Sequence, residues 1–170
     1  FLNAGLGIVL NYDSRDNVYY PTKGSYLELL TTHYQKVWGS DYVFNSYLLD
    51  LRSYHRIIEE HILALNLVTD FNFGNVPFQM LGMLGGGKRL RGLFEGRFRD
   101  NHAIMLQGEY RFPIVWRFRG ALFYGAGRVA PDPQSFNLAN WRQAGGVGLR
   151  WQFTKKAKIN VRLDVAYSKF

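Results

Sequence analysis

The sequence predicts an all-β protein, an antiparallel meander of about eight strands of the transmembrane β-barrel type. Three observations lead there. Apolar and polar residues alternate with period two through segment after segment, the pattern of strands with two unlike faces. The 170 residues are 16% aromatic, with 13 Phe and 11 Tyr, and hold 18 Gly against 5 Pro, a composition that favours strands over helices. No apolar run reaches the roughly 18 residues of a membrane helix, whereas a barrel strand needs only about 9–11 alternating residues.

The elements follow in order. In FLNAGLGIVLNY, Leu2, Ala4, Leu6, Ile8, Leu10 and Tyr12 are apolar and oppose Asn3, Gly5, Gly7 and Asn11. YPTKG supplies the turn chemistry for a hairpin into SYLELLTTHY, whose alternation is weaker. In YVFNSYLLDLRSYHRI, Tyr47, Leu49 and Leu51 share one face, with Ser46, Asp50, Arg52, Tyr54 and Arg56 on the other. After Glu59 and Glu60, Leu63, Leu65, Leu67, Thr69, Phe71 and Phe73 alternate with Ala64, Asn66, Asp70 and Asn72.

The glycine-rich, charged segment GGGKRLRGLFEGRFRDN then interrupts the strands. Beyond it, Ile104, Leu106, Tyr110 and Phe112 oppose Gln107, Glu109 and Arg111, and GALFYGAGRV is a strand of small residues. APDPQSFNLAN leads to Gln143, Val147, Leu149, Trp151 and Phe153 opposite Arg142, Arg150 and Gln152. TKKAK turns the chain into the last strand, with Ile159, Val161, Leu163, Val165 and Tyr167 opposite Asn160, Arg162, Asp164 and Ala166.

Composition bounds function only loosely. A net charge of +8 suits nucleic acid, anionic lipid or a charged interior alike, and with no cysteine there is neither a disulfide nor a thiolate metal site. FLNAGLGIVL lacks the basic start of a secretory signal, so a signal is expected to have been removed or the chain to be an internal piece.

Alternation does not say which face points outward, because a soluble barrel alternates too. The polar sets are rich in glycine and opposed charge, Asp50 with Arg52 and Arg162 with Asp164, which suits a packed lumen; large aromatics near strand ends suit membrane-interface girdles. These favour a membrane barrel and leave a soluble basic barrel as the alternative.

The motif order sharpens the reading. NYDSRDNVYYPTKGSYLEL, GGGKRLRGLFEGRFRDN, LQGEYRFPIVW, FRGALFYGAGRV, GVGLRW and INVRLDVAYSK together resemble the BamA/TamA family of outer-membrane assembly barrels, also called the bacterial surface antigen family. The resemblance covers nearly the whole chain. It implies part of a sixteen-stranded barrel, with four strands before the charged loop and four after it corresponding to the eighth to fifteenth. Residues 1–170 then form one outer-membrane barrel domain, part of a larger barrel, with residues 75–102 as an inward-folded loop. Phe170 falls out of phase with the odd-numbered apolar residues of the last strand, which predicts truncation inside the last hairpin.

Family likeness also implies site residues. The family's Val-Arg-Gly-aromatic loop tip corresponds to Leu90-Arg91-Gly92-Leu93, so Arg91 and Gly92 match while the flanking residues depart. Its inner-wall glutamate falls on Glu109; the acidic partner on the next strand falls near Gly125 and is therefore absent. The expectation is an ion pair of Arg91 with Glu109, supported by Asp164. The implied mechanism is noncovalent templating of incoming strands at a seam between first and last strands. Implied partners are outer-membrane lipid, lipopolysaccharide touching the basic loop, and client outer-membrane proteins or accessory envelope proteins, in the bacterial outer membrane. A structural or transport barrel without assembly activity is the alternative.

Rival chemistry is weaker. Gly82 to Lys88 has phosphate-loop spacing, but Arg89 stands where Ser or Thr is needed and no amphipathic helix follows, so it reads as a flexible loop. His33, His55, His61 and His102 are scattered without zinc spacing, and GxSxG is absent, so neither a metal, a cofactor nor an enzymatic nucleophile is expected. RLRGLFEGRFR interleaves basic and aromatic residues as single-strand binders do, but Glu95 and Asp100 interrupt it, and nucleic acid is not expected as a partner. DSRDN lacks the remaining ligands of a calcium loop and reads as a hairpin turn.

Overall fold

Each alternating segment forms a strand, because one of its faces is apolar throughout and only a sheet keeps such residues on one side. The computed structural model describes residues 2–87, 89–137, 139–154 and 159–169. The strands are β1 (Gly5–Asp13), β2 (Gly24–Tyr34), β3 (Phe44–Ile58), β4 (His61–Gly74), β5 (Gly82–Met83), β6 (Arg99–Asp100), β7 (His102–Val115), β8 (Phe118–Ala130), β9 (Arg142–Thr154) and β10 (Ile159–Lys169). Eight of them form one sheet in the order β1-β2-β3-β4-β7-β8-β9-β10, an antiparallel meander with β1 and β10 at its edges. The two-residue strands β5 and β6 pair with each other. Lys88, Phe170 and most of the TKKAK turn lie outside the described residues.

Alternation survives into burial and acquires its sign. Leu6, Ile8, Leu10, Leu65, Leu106, Leu122, Val147, Leu163 and Val165 stand on the uncovered face and are exposed. On the opposite face Val68, Ala103, Met105 and Ala144 are buried under Leu84, Leu90 and Leu93 of the long connection between β4 and β7. A soluble barrel would bury the first face instead. Aromatic pairs flank the bare aliphatic band at both ends, Tyr47 with Phe73 and Phe71 with Phe136 at one, Tyr110 with Phe112 and Trp151 with Phe153 at the other. Such a band between two girdles is the outer surface of a membrane barrel. No helix among the described residues is long and apolar enough to cross a membrane; strands do the crossing.

Register places the inner-face residues in rows. Ala64, Glu109, Phe123 and Gly146 are successive partners across β4, β7, β8 and β9. Another row runs Arg52, Asn66, Gln107, Gly125 and Ala144. The inward connection is residues 75–101, since β7 already begins at His102 rather than after it. Within its GMLGGG stretch, Gly82 and Met83 pair with Asp100 and Arg99, and Leu84 is fully buried.

Candidate functional site

Between β4 and β7 the chain needs only a turn, yet it spends residues 75–101 crossing the inner face of the sheet. Backbone bonds fold this segment on itself: Leu84 N–H donates to Phe98 C=O at 2.9 Å and Gly96 N–H to Leu84 C=O at 3.1 Å. Leu90 is 0% exposed and sits over a hollow left by two glycines. A Cβ at Gly125 would lie 2.6 Å from Leu90 Cδ1, and one at Gly127 3.0 Å from Leu90 Cδ2. Where the family resemblance places an acidic side chain near Gly125, this wall instead offers apolar packing to Leu90. Gly92 has φ +100° and stands where a Cβ would be 3.0 Å from Ala166 Cβ, so the backbone there approaches β10 in a conformation that glycine adopts readily.

Between Leu90 and Gly92, Arg91 points into the wall and is 6% exposed. Its Nη2 lies 2.5 Å from Glu109 Oε2 and its Nη1 3.0 Å from Asp164 Oδ2. Gln107 Oε1 accepts from its backbone N–H at 3.1 Å and from its Nε at 3.4 Å. The guanidinium also covers the Phe123 ring, with Cζ 3.8 Å from the centroid. The structure therefore brings Arg91, Gly92, Glu109 and Asp164 together at one place, where strands β7 and β10 meet the loop tip.

Both carboxylates have further cationic partners. Arg150 Nη2 is 3.2 Å from Glu109 Oε2, and Arg150 Nη1 also pairs with Asp164 Oδ1. Arg111 Nε donates to Glu109 Oε1 at 2.5 Å, and Arg162 Nε lies 3.4 Å from Asp164 Oδ2. Four guanidiniums thus surround two acids, in a site where leaving one charge unpaired is costly. With every carboxylate oxygen engaged, the arrangement fixes positions rather than moving protons.

Sequence reading paired Arg162 with Asp164, as the structure does, but missed Gln107, Phe123, Arg111 and Arg150 as members. Parity had put Gln107, Arg111 and Arg150 on the polar face; what it lacked was cross-strand register, which sets Phe123 beside Glu109 and Gly148 beside Asp164. The aromatic that the loop tip lacks at Leu93 is met on the wall by Phe123. Leu93 instead is buried in the apolar cluster.

The histidines lie apart: His33 bonds Asn45, His55 bonds Ser53 and His61 bonds the Tyr110 hydroxyl. Among the described residues no group of three or more His, Cys, Asp or Glu is placed to hold a metal ion. A cavity of about 400 Å³ is lined by Arg15 and Tyr19 from the β1–β2 connection, Arg52 and Tyr54 from β3, Glu109 and Arg111 from β7, and Arg150 and Arg162 from β9 and β10. The sheet therefore curls until strands near both edges face one space. Tyr20, also on this cavity, has its hydroxyl pKa raised by burial, against the opposing pull of Arg111 and Arg119.

A curled antiparallel sheet, apolar outside and holding a charged loop inside, defines the wall of an outer-membrane β-barrel. The chain belongs to the Omp85 superfamily, whose domain profile matches residues 1–168. Its fold is similar to that of BamA from Haemophilus ducreyi lacking POTRA domains 1–3, a crystal structure matched with TM-score 0.81 at 18% sequence identity, over 98% of this chain and 39% of that one. No curated protein matches the chain by sequence.

Proposed function

We propose that this chain is the carboxyl-side part of a larger barrel that inserts or translocates outer-membrane proteins, and that the Arg91 loop holds the lumen of that barrel in shape. Family membership and the BamA-like fold support the first part. The observation that carries the second is Arg91 itself, which ties the tip of one connection simultaneously to Glu109 on β7 and Asp164 on β10. A wall braced in this way keeps its curvature while strands elsewhere separate.

Templating then works by main-chain pairing. An open strand edge offers unpaired N–H and C=O groups to an incoming strand, and side chains contribute little to the choice. No covalent step is required, so no nucleophile, cofactor or metal enters. We assign the end of the sheet bearing connections 35–43, 75–101 and 131–141 to the cell exterior, because together they are longer than 14–23, 59–60 and 116–117 at the other end, and the long loops of such barrels face outward.

The test uses the full-length protein reconstituted in lipid vesicles, with insertion of an unfolded barrel client followed by heat-modified gel mobility. Acceleration over empty vesicles, reduced in Arg91→Ala, is the expected result. A folded full-length barrel that leaves client insertion at the rate of empty vesicles would reduce the role to structure or transport.

A further inference from the structure

The DSRDN stretch does more than reverse the chain. Residues 14–23 join β1 to β2 at the short-turn end, yet Tyr20, Pro21 and Thr22 are buried. Local bonds shape this inward fold. Asp16 accepts from the Thr22 N–H at 2.7 Å and from the Thr22 hydroxyl at 2.6 Å, and Asn17 Oδ1 accepts from the Tyr20 N–H at 2.8 Å. The wall holds the result: Arg56 on β3 donates to Thr22 Oγ1 at 2.6 Å, and Arg111 on β7 donates from Nη1 to Pro21 C=O at 3.2 Å. The Arg111 and Arg119 guanidiniums lie 4.9 Å and 5.6 Å from the Tyr20 ring centroid.

Arg111 is the shared group. While Nη1 reaches Pro21, Nε binds Glu109 Oε1, and the other oxygen of that carboxylate takes Arg91 from the loop tip. One carboxylate thus stands between two segments that enter from opposite ends of the sheet. We infer that Arg111 is a positioning residue that interlocks residues 14–23 with the loop 75–101 through Glu109, so that withdrawing the loop tip loosens the segment at the other end. A planar guanidinium suits this task because its donors have fixed relative directions; a lysine ammonium cannot hold both acceptors in the same way. Losing Arg91 removes the shorter of the two contacts on Glu109 Oε2 and leaves that oxygen to Arg150 at 3.2 Å, so the carboxylate is held less firmly and fixes the plane of Arg111 less well. The inference rests on the inward loop position described above, not on assembly activity.

These 170 residues contain no cysteine, so a single introduced thiol reports its own burial. Pro21→Cys keeps the backbone carbonyl that Arg111 binds, and Leu93→Cys reports the loop. In the full-length protein in native membranes, with any cysteine outside these residues replaced by serine, maleimide labelling of Pro21→Cys is expected to rise about ten-fold, the signature of local opening, in Glu109→Gln, in Arg111→Lys, and also in Arg91→Lys. Arg91 is the informative position, since its partners Gln107, Glu109 and Asp164 all lie on the wall. Conversely, Arg111→Lys is expected to raise labelling of Leu93→Cys.

Increased Leu93→Cys labelling in Arg91→Lys and Glu109→Gln with no change at Pro21→Cys would overturn the interlock, since the loop would then move alone. Heat-modified mobility verifies that each variant is folded; should Glu109→Gln not fold, Arg111→Lys read at Leu93→Cys decides the same question. A barrel without assembly activity would give the same labelling, so this inference and the proposed function fail separately.

Discussion

The two faces of this sheet are built from the same strands under opposite rules. On the outer face Leu106, Leu122, Leu163 and Val165 are exposed, and any side chain of comparable apolarity would serve in lipid. On the inner face the fit is specific: Leu90 fills the hollow above Gly125, and Arg91 requires Glu109 and Asp164 at set positions. The outer face asks for a class of residue, and the inner face asks for particular ones. Tolerance to substitution should therefore divide by parity along each strand.

The largest effect is expected inside. Glu109→Ala leaves Arg91, Arg111 and Arg150 facing one another without the carboxylate that separates them, at a cost of roughly 3–5 kcal/mol. Denaturant unfolding of the barrel in lipid vesicles, followed by tryptophan fluorescence, measures it. A loss below about 1 kcal/mol, the range of exposed ion pairs, would mean that this site is solvated and that the contrast between faces is weaker than drawn. On the outer face the corresponding offence is charge. Leu106→Arg places a guanidinium in the aliphatic band and is expected to cost roughly 2–4 kcal/mol. An unchanged unfolding midpoint in the same assay would argue that Leu106 faces water.

How much of this was legible beforehand follows from the same division. Period two fixes which residues share a face, so the eight long strands and the opposed sets Leu63 to Phe73 and Ala64 to Asn72 were readable. Periodicity alone did not give the sign of the faces; glycine and opposed charge in the polar sets and aromatics near strand ends favoured lipid outside, and the segment 75–101 covers the other face. Of the site, Arg91, Gly92 and Glu109 came from family likeness, and Asp164 from its place among the opposed charges of the polar face. Arg150 and Phe123 escaped because they meet Glu109 only through the pairings of β7 with β8 and β8 with β9, and register between separate strands has no local signature in sequence. Residues 14–23 escaped for a different reason. Turn chemistry predicted where the chain reverses, but burial of Tyr20 and Thr22 depends on Arg56 and Arg111 from other strands.

Two smaller substitutions sharpen the comparison. Gly92→Ala adds a methyl at φ +100°, 3.0 Å from Ala166 Cβ and 3.2 Å from Ala144 Cβ. Both neighbours are short side chains on paired strands, so relief requires backbone movement, and the left-handed conformation alone costs roughly 1–2 kcal/mol for a residue with a Cβ. The same methyl change should also raise thiol labelling at Leu93→Cys, because Gly92 sets how closely the tip meets β10. Leu163→Val removes a methylene on that same strand but from its opposite face, where Leu163 is 66% exposed. Lipid refills the space without leaving a cavity, and stability is expected to stay within about 0.5 kcal/mol of wild type. If Leu163→Val instead destabilised the barrel as much as Gly92→Ala, the outer face of β10 would be packed against protein, and the bare apolar face would have to be an interface rather than a lipid surface.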